Sequence, residues 1–124
     1  MAKKILVIED DEAIRRMAAR ILARAGYEVI EAGDGKEGVR LFRSDLPNLV
    51  VTDIFMPEKE GLETIAELAG ESPDVRIIAI SGGGNLGILN PLPMAEKLRA
   101  ARSLTKPFGR NDLLQAVVDL IGAP

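Results

Sequence analysis

Leu49-Val50-Val51-Thr52-Asp53 is a short, mostly β-branched run that stops on a carboxylate. It reads as a strand buried on both faces. A charge at the end of such a strand is tolerated where the chain emerges at the edge of a sheet. Three other runs share the pattern. Ile5-Leu6-Val7-Ile8 ends on Glu9-Asp10-Asp11, Ile77-Ile78-Ala79-Ile80 ends on Ser81, and the weaker Ser103-Leu104-Thr105 ends on Lys106-Pro107. In a parallel sheet every strand points the same way, so these polar residues converge at one edge. The crevice at the carboxyl ends of the strands is where open α/β sheets bind ligands. Acids, a hydroxyl and one lysine together suit a divalent cation and a phosphoryl group.

The segments between these strands carry helical periodicity, which makes the chain α/β with a parallel sheet. Ile14, Ala18, Ile21, Leu22 and Ala25 form one apolar stripe, and Gly26 stands where a left-handed helix end is expected. Tyr27-Glu28-Val29-Ile30 is a further strand. Asp34 and Glu37 have the spacing of a capping box ahead of Val39, Leu41 and Phe42. A helix is expected over 61–70 with Leu62, Ile65, Ala66 and Leu68 inward, and a last helix that carries Leu113, Leu114, Val117, Val118 and Ile121. Residues 81–93 hold four glycines and two prolines, so an irregular stretch is expected there, with a helix resuming from 94 to about 102. Five strands and five helices fill the length as one domain, residues 1–124, with no linker or repeat.

Composition removes several chemistries. The 124 residues, 47% hydrophobic and 28% charged, suit one globular core. Sixteen basic against nineteen acidic residues argue against nucleic acid as a direct partner. With no cysteine there is no thiolate nucleophile or zinc site; with no histidine there is no imidazole acid–base chemistry. The chain opens Met-Ala-Lys-Lys and enters a strand at once, too short a run for a secretion signal or a membrane span, so the expected location is cytoplasmic.

Glu9, Asp10 and Asp11 could serve only as helix caps and dipole partners. Asp53 changes that balance, because acids from two neighbouring strand ends repel one another without a cation. All-oxygen ligands select Mg²⁺ or Mn²⁺. The residues suggest direct ligation by Asp10 and Asp53, a more distant or water-mediated role for Glu9, and helix capping by Asp11. Asp53 also stands where a carboxylate nucleophile would accept a phosphoryl group. Lys106 would pair with one phosphoryl oxygen, and the Ser81 hydroxyl or a backbone N–H near 81–83 with another. Pro107 is a candidate cis residue that would aim Lys106 inward. Gly82-Gly83-Gly84 lacks the Gly-Lys-Ser/Thr ending of a Walker loop.

Taken in order, Ile5-Leu6-Val7-Ile8-Glu9-Asp10-Asp11, Val51-Thr52-Asp53-Ile54-Phe55-Met56-Pro57, Ser81 and Lys106-Pro107-Phe108 resemble the receiver domains of bacterial two-component response regulators over the full chain. The resemblance implies a flavodoxin-like, doubly wound five-stranded sheet of order 2-1-3-4-5 with helices on both faces. It implies Asp53 as phosphoacceptor, Mg²⁺ held by Glu9, Asp10, Asp53 and the Phe55 backbone carbonyl, and Ser81 and Lys106 on the phosphoryl group. The implied donor is a phosphohistidine on a sensor histidine kinase or phosphotransfer protein. Such a domain is a switch that catalyses only its own phosphorylation and dephosphorylation. Its output is contact with a downstream protein or onward phosphotransfer; apolar residues on the fourth helix and fifth strand could also support a homodimer.

Some positions depart from that family. Ser103 stands where many receivers carry a rotating aromatic, Arg99 where many end a helix with glycine, and the stretch after Ser81 is longer than usual. Phe55 and Gly83, at positions that tune phosphoryl lifetime, cannot hydrogen-bond an attacking water through their side chains, so slow self-dephosphorylation is expected. A haloacid-dehalogenase-type phosphatase would need an acid where Phe55 stands. A nucleotide-binding flavodoxin-like module would need glycines where Glu9-Asp10-Asp11-Glu12 stands. A receiver-like scaffold acting without phosphorylation is the remaining alternative.

Overall fold

The computed structural model describes residues 2–54, 61–72, 74–81 and 102–124. The elements are β1 (Lys4–Ile8), α1 (Glu12–Ala25), β2 (Glu28–Ala32), α2 (Gly35–Asp45), β3 (Leu49–Asp53), α3 (Gly61–Glu71), β4 (Arg76–Ser81), β5 (Arg102–Thr105) and α4 (Arg110–Ile121). All strand pairings are parallel and the order is β2-β1-β3-β4-β5, as the family resemblance implied. Ile8 lies opposite both Ala32 and Thr52, and Asp53 lies opposite Ile80, so the strand ends finish at one edge.

Strand alternation divides the core between two faces. Leu6, Ile8, Val50, Ile77 and Ala79 pack with Val39 and Phe42 of α2 and Ile65 and Leu68 of α3. Ile5, Val7, Leu49, Val51, Ile78 and Ile80 pack with Ala18 and Leu22 of α1 and Leu113, Ala116 and Val117 of α4. Every residue of β3 is buried, which explains why it reads as a continuous apolar run. Each large aliphatic side chain removed from water stabilises the fold by about 1.5–3 kcal/mol before chain entropy is charged against it.

Local chemistry sets the helix ends. The Ile14 N–H donates to Asp11 Oδ1 at 3.1 Å, and the Glu37 N–H donates to Asp34 Oδ1 at 2.8 Å. Both bonds satisfy first-turn donors that have no helical partner. Gly26 closes α1 at φ 111°, where a Cβ would be strained. Gly38 is required for a different reason. A Cβ there would lie 2.4 Å from Ile8 Cδ1 and 2.8 Å from its Cγ1, so α2 rests directly on β1.

Several boundaries and faces differ from expectation. β2 runs on to Ala32, because Glu31 and Ala32 pair with Val7 and Ile8. Arg102 belongs to β5 rather than to a helix, and it pairs with Ile78. Ala66 is exposed while Thr64 is buried, since α3 presents 64, 65 and 68 to the sheet. In α4 Ala116 is buried beside Leu113 and Val117, whereas Val118 is 43% exposed. Four helices are present among the described residues. The irregular stretch at 82–93, the helix expected from 94, Phe55, Gly83 and Arg99, and the side chain of Leu62 lie outside them.

Candidate phosphoryl and metal site

At the carboxyl edge of the sheet, β1 delivers Glu9, β3 delivers Asp53, β4 delivers Ser81 and the chain after β5 delivers Lys106. The Glu9 N–H donates to the Ala32 carbonyl at 3.1 Å, which carries the β1–β2 ladder one residue past Ile8. The Ile54 N–H donates to Ile80 at 3.0 Å and the Lys106 N–H donates to Ser81 at 2.8 Å, so the backbones of Asp53 and Lys106 are fixed on both sides of β4. The Thr52 hydroxyl donates to the Asp53 carbonyl at 3.0 Å. Glu9, Asp53 and Ser81 are all buried, at 2%, 4% and 3% exposure, whereas Asp10 and Asp11 are exposed. The Lys106–Pro107 peptide is cis, as its sequence context suggested.

The ammonium of Lys106 bridges the two buried acids. Nζ lies 2.6 Å from Glu9 Oε1 and 2.6 Å from Asp53 Oδ2. The Asp53 contact has hydrogen-bond geometry. Glu9 Oε1 is close to the charge but receives no well-directed hydrogen bond, and it is the buried side-chain oxygen left in this condition among the described residues. Oxygens of Glu9, Asp10 and Asp53 all come within 4.8 Å of one another. Burial pushes the Glu9 carboxyl up to about 8; Lys106 opposes the shift, and the nearby Asp53 and Asp10 carboxyls add to it. Burial disfavours the Lys106 charge, but its contacts with Asp53 and Glu9 outweigh that and hold it above the ordinary lysine value.

This donor set fits a hard divalent cation. It offers only oxygens, drawn from two strand ends, and one of them is buried without a well-formed hydrogen bond. Mg²⁺ or Mn²⁺ suits it better than a soft metal. Glu9 belongs to this cluster as fully as Asp10 and Asp53 do, and it also reaches Lys106. The expected Phe55 carbonyl ligand lies outside the described residues. Asp11 caps α1.

One residue at the site was not singled out in the sequence. Arg15 of α1 folds back so that Nη1 donates to the Glu9 carbonyl at 3.0 Å, while Nε donates to Glu31 Oε1 of β2 at 3.2 Å. A cation at this helical position with an acid in the neighbouring strand was the available signal, and it needed the strand register to be read.

Known proteins resemble this chain in sequence and in fold. The sequence profile of the response regulator receiver domain matches residues 5–118. The chain is 37% identical over 119 residues to a probable transcriptional regulator, ycf27, of Cyanophora paradoxa, an alignment covering 96% of this chain and 48% of that protein. It is 33% identical over 118 residues to the chemotaxis protein CheY of Thermotoga maritima, covering 94% of this chain and 96% of that one. The crystal structure of a response regulator receiver domain protein from Clostridium thermocellum superposes with a TM-score of 0.87 at 31% identity, over 96% of this chain and 94% of the other. The chain therefore spans about half the length of the ycf27 relatives and nearly all of the chemotaxis protein.

Proposed function

Because this chain belongs to the family of response regulator receiver domains, we propose that it is a phosphorylation-dependent signalling switch whose acceptor is the Asp53 carboxylate. The observation that carries the reading is the buried Asp53, bonded to Lys106 at 2.6 Å and clustered with Glu9 and Asp10. In the proposed reaction an Asp53 carboxylate oxygen attacks phosphorus in line, and the bond from phosphorus to the donor nitrogen breaks. The donor histidine leaves, and an acyl phosphate remains on Asp53. The donor would be a phosphohistidine on a sensor histidine kinase or a phosphotransfer protein, as in the family, and a sequence without histidine is in keeping with that.

Lys106 would transfer its ammonium from the carboxylate to a phosphoryl oxygen, and the Ser81 hydroxyl at the end of β4 would hold another. Glu9, Asp10, Asp53 and the Phe55 carbonyl would hold Mg²⁺, which when bound supplies neutralisation of the charge that builds on the phosphoryl oxygens. Phosphorylation then adds nearly two negative charges beside Lys106, a local change able to bias two arrangements of the surrounding chain. The chemistry is confined to loading and unloading the domain's own aspartate. Output is contact with a downstream protein or onward phosphotransfer, and the proposed location is the cytoplasm. No helix among the described residues is long and apolar enough to cross a membrane.

Intact mass after incubation with phosphoramidate or acetyl phosphate and Mg²⁺ tests the proposal. One added phosphoryl group, dependent on the metal and absent from Asp53→Asn, is the expected result. No adduct on the wild type at saturating donor and metal would overturn phosphorylation as the switch.

A further inference from the structure

The guanidinium of Arg15 is tied to the acid site through the main chain rather than through a carboxylate of the cluster. Its side chain, near the N-terminus of α1, is only 17% exposed. Nη1 donates to the Glu9 carbonyl at 3.0 Å, and Nε is paired with Glu31 at 3.2 Å. A Cβ on Gly33 would come within 3.6 Å of Nη1, so the β2–α2 connection passes close over the same group. One planar side chain thus joins α1, the end of β1 and β2.

The Glu9 carbonyl shares a rigid plane with the Asp10 nitrogen. Holding that oxygen sets the orientation of the peptide that carries one acid on each side. We propose that Arg15 is a positioning residue: by anchoring the Glu9 carbonyl it fixes how Glu9 and Asp10 approach Asp53, and Glu31 in turn fixes Arg15. The inference rests on the reading of these three acids as cation ligands.

A positioning role and a simple charge effect have opposite signs. If Arg15 mattered only as a positive charge near the acids, its removal would tighten cation binding. If it aligns the ligands, its removal weakens binding, as loss of partners that orient metal ligands commonly does by roughly 10–100-fold. Lysine can reach one of the two acceptors but cannot fork to both. Glu31→Gln keeps an acceptor oxygen for Nε while removing the charge.

The experiment is Mn²⁺ affinity by electron paramagnetic resonance, with Mg²⁺ as competitor, on wild type, Arg15→Met, Arg15→Lys, Glu31→Gln and Asp10→Asn. It is run well below each melting temperature, with folding checked by circular dichroism. Expected are weakening of roughly ten-fold or more for Arg15→Met, partial recovery for Arg15→Lys, and a smaller weakening for Glu31→Gln, which loses the charge but keeps an acceptor for Nε. A structural role alone would lower the melting temperature and leave the affinity of the folded protein unchanged. Arg15→Met binding as tightly as wild type, or more tightly, overturns the inference while the metal site stands. Wild type that binds no Mn²⁺, or binds it equally well as Asp10→Asn, overturns the site reading and the inference together. If Arg15→Met does not fold, Arg15→Lys decides, and unchanged affinity there overturns the proposal.

Discussion

Replacing Asp10 by asparagine should stabilise the protein without metal and remove most of the stability it gains from Mg²⁺. Oxygens of Glu9, Asp10 and Asp53 lie within 4.8 Å of one another and share one ammonium, which sits on Glu9 and Asp53. With its carboxyl pushed up to about 8, Glu9 is mostly protonated at pH 7, so the repulsion on Asp10 comes chiefly from Asp53. Two unit charges at this separation repel by about 3.5 kcal/mol at an effective dielectric of 20 and about 0.9 kcal/mol in bulk water. Asp10 is exposed and the Lys106 ammonium offsets part of the Asp53 charge, which places the net repulsion at or below the lower value. Removing its charge should therefore add up to about 1 kcal/mol, at most roughly 3–6 °C in melting temperature for a domain of this size. In Mg²⁺ the order should invert, because a tenfold excess over Kd stabilises the wild type by about 1.4 kcal/mol and the variant has lost a ligand. Thermal melts by circular dichroism in EDTA and in rising MgCl₂ measure both effects. A variant that is less stable than wild type in EDTA, or that gains as much from Mg²⁺, would refute the reasoning.

Other perturbations probe the same edge and its support. The folded Glu9 carboxyl, at about 8 against an ordinary 4.5, retains a proton that the unfolded chain releases. Its contribution is fully present below about pH 4.5 and is lost as pH rises through 8. Melts in EDTA should show stability falling across that window, and Glu9→Gln should flatten the slope; an unchanged slope counts against a buried, proton-bearing Glu9. Gly38→Ala gains about 1 kcal/mol in helix propensity. It also drives a methyl group into the fully buried Ile8, and overpacking of this kind costs about 1–3 kcal/mol. Urea denaturation should show net destabilisation, partly recovered in Gly38→Ala with Ile8→Val; a more stable single variant would mean that α2 shifts freely.

How far the sequence reveals this protein depends on whether each feature is local or long-range. The runs of β1, β3 and β4, the Asp11 cap and the Gly26 helix end depend on a few adjacent residues, and each stands where its pattern put it. Periodicity was less informative at the margins of a stripe. Ala66 and Val118 are apolar but exposed, while Ala116 and Thr64 are buried, because packing selects a face by geometry rather than by hydrophobicity alone. The meeting of Asp53 with Lys106 was legible, since parallel strands must finish together whatever lies between them. The contact of Lys106 with Glu9 was not, because it depends on how far a glutamate reaches across the edge. Arg15 with Glu31 was hidden for a further reason. β2 extends to Ala32, beyond the strand that the sequence suggests, and only that extension sets Glu31 in the ladder beside the end of β1. A residue that acts through a backbone carbonyl leaves no motif of its own. Its role becomes readable only when the register shows which carbonyl stands at the end of which strand.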